Sequence, residues 1–126
     1  MDEPLTPYLF PSGFPPDLAS AAFVSSNEVA WRPAIAGRSV EWLSTHGYAV
    51  LGTELWRPQG GVIQSLPYFQ SVDRKSNESW DSFVVRAAEE TLEYFRAFAS
   101  KFIEEGDVYV NVSWVSEAEF RKNHGS

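Results

Sequence analysis

Cysteine is absent from the 126 residues of this chain, so disulfides, thiol nucleophiles and thiolate metal sites are all excluded, and a reducing compartment fits. Histidine is almost as scarce. His46 and His124 are the only imidazoles available for base catalysis or transition-metal binding near neutral pH, and no cluster of His, Asp and Glu has zinc-ligand spacing. Gly-x-Ser-x-Gly, Gly-Lys-Ser/Thr and Gly-x-Gly-x-x-Gly do not occur, and Gly60-Gly61 lacks the lysine and following helix that phosphate binding uses. No metal, no cofactor and no catalytic residue is therefore expected. No apolar run approaches the ~20 residues of a membrane helix, and Met1-Asp2-Glu3-Pro4 is acidic where a secretory signal needs basic residues. These absences predict a soluble, cytoplasmic protein without a membrane partner. Positive charge is also short. Ten Lys and Arg against seventeen Asp and Glu leave a formal charge of −7, which disfavours nucleic acid and favours a basic protein partner.

What the chain does have is apolar and aromatic mass. With 44% hydrophobic and 15% aromatic residues it can build a packed core, and 126 residues suffice for one domain but not two. Five of the eight prolines fall in residues 1–16, interleaved with Leu5, Tyr8, Leu9, Phe10 and Phe14. A solvated linker would be polar, so this segment reads as an extended arm packing over the domain or over a partner.

Local signals then divide the chain. Asp17 reads as the cap of a short helix over Leu18 to Phe23, and Glu28 to Trp31 as a brief strand. Pro33 opens a helix over 33–46 that Gly47 terminates, with His46 near its end where the dipole favours a cation. Tyr48 to Arg57 alternates and meets Pro58-Gln59-Gly60-Gly61, a hairpin turn whose return strand, Val62 to Leu66, is expected to stop at Pro67, which cannot donate to a ladder and so argues for an edge or a bend there. Ser79 caps a long amphipathic helix that starts at Trp80 and is ended by Gly106, with Trp80, Val84, Ala87, Ala88, Thr91, Leu92, Phe95, Phe98, Ala99, Phe102 and Ile103 on its apolar side. At 1.5 Å per residue it is about 39 Å long, so one end is expected to project or bend. Asp107 to Val115 alternates as a strand with one dry face, and Ser116-Glu117-Ala118-Glu119 is a capping box opening a last helix. This order predicts an α+β fold: a small, mainly antiparallel sheet of about three to four strands, packed against one long amphipathic helix and a shorter one. Whether the last strand runs parallel or antiparallel to its neighbour is left open by periodicity.

Carboxylates are the remaining chemistry. Glu54 interrupts an apolar strand, sharing a face with Val50 and Trp56 if no bulge intervenes, and Arg57, Arg32 or Arg38 can offer it a partner. It reads either as an edge-strand charge that deters aggregation or as a functional group. A second acidic series, Glu78, Asp81, Glu89, Glu90, Glu93, Glu104 and Glu105, runs along and before the long helix. It reads as a solvated face or as a docking surface, the latter with Trp56, Trp80 and Tyr68 as aromatic anchors, of which Trp56 and Trp80 are expected to be exposed. The candidate partner-binding set is thus Glu54, Trp56, Tyr68, Glu78, Trp80, Asp81, Glu89, Glu90 and Glu93.

The run Trp42-Leu43, His46-Gly47-Tyr48-Ala49-Val50-Leu51-Gly52-Thr53-Glu54-Leu55-Trp56, then Gly60-Gly61 and Ser79-Trp80 opening a Glu-rich helix with Tyr94, resembles the immunity protein 40 family of bacterial polymorphic-toxin immunity proteins. The resemblance covers residues 35–112. Where the family pattern carries a second glycine and an aspartate, this chain has Thr53 and Glu54. The resemblance implies a cytoplasmic α+β protein that binds and blocks a cognate toxin, with no enzymatic role. Two other readings stand beside it: a ligand-binding domain or hydrolase-like enzyme using Glu54 in a sheet–helix cleft, and a subunit of an assembly joined by the arm.

Overall fold

The elements start where local chemistry starts them. In the computed structural model, which describes residues 9–124 with side chains as far as Lys122, helix α1 spans Pro16–Ala21. Pro15 holds its cap position and Asp17 lies inside the first turn, paired with Arg38 at 3.0 Å, so Asp17 is not the cap. Phe23 leaves the helix altogether and opens strand β1 (Phe23–Ser25), which turns back into β2 (Glu28–Trp31). Helix α2 (Pro33–Thr45) begins with its proline, as expected, and ends at His46, whose Nδ1 lies 2.9 Å from the Trp42 carbonyl while its ring stacks on the Trp42 indole. Strands β3 (Ala49–Gln59) and β4 (Val62–Ser71) are joined by Gly60-Gly61 at φ 58° and 83°, the positive pair that a two-residue hairpin turn requires.

Helix α3 (Trp80–Glu105) runs unbroken for 26 residues, capped by Ser79, whose Oγ accepts from the Ser82 N–H at 3.1 Å. Its far end is held on the sheet rather than projecting: Phe102 is buried, and Arg57 reaches the Glu105 carboxylate and carbonyl at 2.7 Å each. Phe83 is buried although it lay outside the expected stripe, whereas Ala99 and Ile103 from that stripe are exposed. Strand β5 (Tyr109–Val115) follows, then α4 (Glu117–His124), opened by the reciprocal capping box between Ser116 and Glu119. The side chain of His124 lies outside the described residues.

Among the described residues the five strands form one sheet in the order β1-β2-β5-β3-β4, every neighbouring pair antiparallel. The sheet is thus wider than three to four strands, because β1 joins it, and the last strand is antiparallel to both neighbours. Helices α2 and α3 pack side by side on one face, burying Trp31, Val40, Leu43, Val50, Leu55, Phe83, Val108 and Val110. Phe10 and Phe14 stack at 4.8 Å and pack on Trp31, so this part of the arm belongs to the domain's own core; residues 1–8 of the arm lie outside the described residues.

Two irregularities in β3 decide which side chains face which way. Its register against β5 shifts between Val50 and Gly52, and its register against β4 shifts between Glu54 and Trp56. The second shift places Pro67 between the paired residues Ser65 and Phe69, so β4 continues through the proline to Ser71 instead of stopping. It can do so because β4 is an edge strand and the irregular stretch needs no ladder donor there. Gly52 sits where a Cβ would lie 2.8 Å from the Gln70 carbonyl oxygen, an approach only glycine permits.

Candidate functional site

The nine candidate residues do not converge; the fold sorts them onto opposite sides of the sheet. Beside α3, Arg86 collects its own acids. Its Nε and Nη2 donate to Glu78 at 2.6 and 2.8 Å, its Nη1 donates to Glu90 at 2.8 Å, and Nη2 also donates to the Asp73 carbonyl. These bonds from Arg86, with the Lys75 N–H behind them, hold the Glu78 carboxyl down at about 2 and raise the Arg86 guanidinium further. Glu93 pairs with Arg96 at 2.9 Å. Asp81 and Glu89 are exposed and form no ion pair among the described residues.

The aromatic candidates on this side are also engaged. Trp80 is half-buried, donates its indole N–H to the Gly47 carbonyl at 3.0 Å and packs on Phe83 and Phe120. Tyr68 lies under α3 edge-on to Phe98 and Phe102, and burial among these rings, with Tyr68 nearby, pushes the Tyr94 hydroxyl pKa up. Neither ring stands free as an anchor.

Glu54 and Trp56 lie on the other face. Thr53 pairs across to Gln70, whose amide donates to Thr91 of α3 at 3.2 Å, so Thr53 faces the helices and Glu54, one residue on, faces away. The shift beyond Val50 breaks the shared facing with that residue. Glu54 is half-buried, and the Trp56 indole N–H donates to its Oε1 at 2.8 Å. The three arginines offered by the sequence are committed elsewhere: Arg57 on the helix side to Glu105, Arg32 to Asp107, and Arg38 to Asp17. No cation pairs with Glu54 among the described residues. Nor is it an edge-strand charge, because β3 lies between β5 and β4.

Trp56 is not exposed either. Only 4% of it reaches solvent, because β1 carries Phe23 across to it, and Phe23 also meets Tyr109 with ring centres 4.9 Å apart. Arg32 lies over the Tyr109 ring at 4.1 Å, closing this border. The cross-strand neighbours of Glu54 are Asn111 on β5 and Phe69 on β4. Asn111 is buried, so the second face of β5 is not simply wet, while Phe69 is 71% exposed. Phe23 and Tyr109 escaped sequence reasoning: three residues are too few for a strand pattern, and Tyr109 belonged to the face read as solvated.

This arrangement presents a fixed carboxylate, an exposed ring beside it and a buried aromatic floor. The cross-strand neighbours of Glu54 are an amide and a phenyl ring rather than the second carboxylate that a paired acid–base hydrolysis uses. The sheet–helix cleft expected around Glu54 is not formed, since the side chain points away from the helices. Among the described residues no group of three His, Asp or Glu is placed to hold a metal, and no helix is long and apolar enough to cross a membrane.

Fold and site together define an α+β two-layer protein with an acidic-aromatic patch on the sheet face turned from its helices. Comparisons with protein-family models, with curated proteins and with solved structures found no match.

Proposed function

We propose that this chain is a non-enzymatic, protein-binding inhibitor of the immunity type, which binds and neutralises a cognate toxin in the cytoplasm. The observation that carries the reading is Glu54. It is a half-buried carboxylate, oriented by Trp56, next to the exposed Phe69 and without a cation of its own among the described residues. A partly desolvated carboxylate gains most from a basic side chain that arrives with a partner, and an exposed ring beside it adds apolar contact. The net charge of −7 steers a basic protein toward the chain. Occlusion needs no catalytic group, which agrees with the chemistry of the patch, and the resemblance of residues 35–112 to immunity proteins supports the same reading. The acids beside α3 contribute less, since Glu78, Glu90 and Glu93 are answered by Arg86 and Arg96.

The test is co-expression with any secreted-toxin C-terminal domain that is found encoded beside this chain. Wild type is expected to protect the cells and to co-purify with the domain. Glu54→Lys is expected to lose protection and at least tenfold in affinity, while Glu89→Lys retains both. A folded Glu54→Lys protein that binds and protects like wild type overturns the assignment of this face.

A further inference from the structure

Between β2 and β5 the sheet comes apart. The two strands pair only at Ala30–Asn111 and Trp31–Val110. Beyond that rung, Glu28 and Val29 have strand partners only on β1, and Val112–Val115 only on β3. The Val29 carbonyl still points toward β5, yet the group that meets it is the side-chain amide of Asn111, at 2.8 Å. Asn111 thereby closes the ladder, and past it lies a notch of about 270 Å³ walled by Asn27, Glu28 and Val29 on one side and Val112, Ser113 and Trp114 on the other, with Leu9 of the arm at its rim.

Strand backbone alternates its hydrogen-bonding direction, so every second residue of Val112–Val115 turns its N–H and C=O away from β3 and into this notch. Glu28 and Glu119 border it, both exposed and neither in an ion pair among the described residues; the Glu119 carboxylate accepts only the Ser116 N–H of the capping box.

We propose that this notch docks an extended, basic segment of a partner protein, which adds as a strand along the Val112–Val115 edge. An edge whose alternate main-chain groups have no strand partner among the described residues is satisfied by another extended backbone and not by a helix. The flanking carboxylates select Lys or Arg on that segment, and the half-buried Trp114 supplies apolar contact beneath it. A second copy of this chain is disfavoured as occupant by its own charge of −7. The site stands independently of the inhibitor reading, since it follows from strand pairing and charge at a place that does not include Glu54.

The probe is an end-capped peptide of sequence Arg-Val-Lys-Val-Arg-Val, titrated into the full chain and followed by amide NMR shifts. Saturable shifts centred on residues 27–29 and 112–115 are expected. Replacing the basic residues by Glu, or the central Val by Pro, is expected to weaken binding at least tenfold, and Glu28→Lys in the protein to do the same while its circular dichroism spectrum stays unchanged. The proposal is overturned by absence of saturable shifts at those amides or by equal binding of the acidic or proline peptide. Concentration-dependent shifts at the same amides without peptide also overturn it, assigning the notch to a second copy.

Discussion

The two faces of the sheet treat acidic residues in opposite ways. On the helix side most acids sit within reach of an arginine: Glu78 and Glu90 share Arg86, Glu93 holds Arg96, and Glu105 holds Arg57. On the outer face Glu54 has a tryptophan N–H for company and no cation among the described residues. The acid-rich surface by count is therefore largely self-neutralised, whereas the half-buried Glu54 has no cation among the described residues. The number of acids on a surface does not tell which of them the fold pairs with a cation; that is decided by which arginines reach them.

Stability measurements can break this contrast, and the largest effect separates two phenylalanines. Phe83, fully buried on the sheet-facing side of α3, is expected to cost about 3–5 kcal/mol on truncation to alanine in urea unfolding, through lost burial and the cavity left behind. Phe69→Ala, on the exposed ring of the outer face, is expected to stay within about 0.5 kcal/mol of wild type. Equal losses would mean that the outer face is packed after all.

Gly52→Ala comes next. Its new Cβ would sit 2.8 Å from a backbone carbonyl, and forcing β3 and β4 apart is expected to cost about 1–3 kcal/mol. Wild-type stability in that variant would show that the two strands separate freely at this point, and would loosen the assignment of faces that follows from their register.

The acids themselves give a pH test. Glu78 is held at about 2 in the folded chain against an ordinary value of 4.5, so its contribution is fully present above pH 4.5 and is lost as pH falls toward 2. Unfolding followed across that interval is expected to be steeper for wild type than for Glu78→Gln, with the two curves parallel above it. Parallel curves throughout would show that Arg86 does not stabilise the Glu78 carboxylate. The smallest effect belongs to Glu54→Gln. The amide oxygen can keep the Trp56 hydrogen bond, so stability is expected to change by no more than about 0.5 kcal/mol, while affinity for a basic partner falls. A large loss of stability would make Glu54 a structural group of the sheet rather than a recognition group.

The helices were legible because their signals are local. Pro33, Ser79 and the Ser116–Glu119 box act within one turn of the residues they start, and Gly60-Gly61 fixes its turn through its own backbone angles. Other features depended on contacts far along the chain. Strand β1 is three residues long and exists only because β2 lies beside it. The covering of Trp56 by Phe23 spans more than thirty positions, and Arg57, Arg32 and Arg38, the arginines offered to Glu54, pair with other acids.

The sequence by itself determined the class of fold, the starts of the three later helices, the turn of the main hairpin and the excess of negative charge, because these follow from composition and from spacings of two to four residues. Only the tertiary structure decided that Glu54 faces away from the helices, that Trp56 is buried and that β2 parts from β5. The physical reason is the two-residue period of a strand: a single irregularity exchanges its faces, and where the irregularity falls is settled by the neighbouring strands.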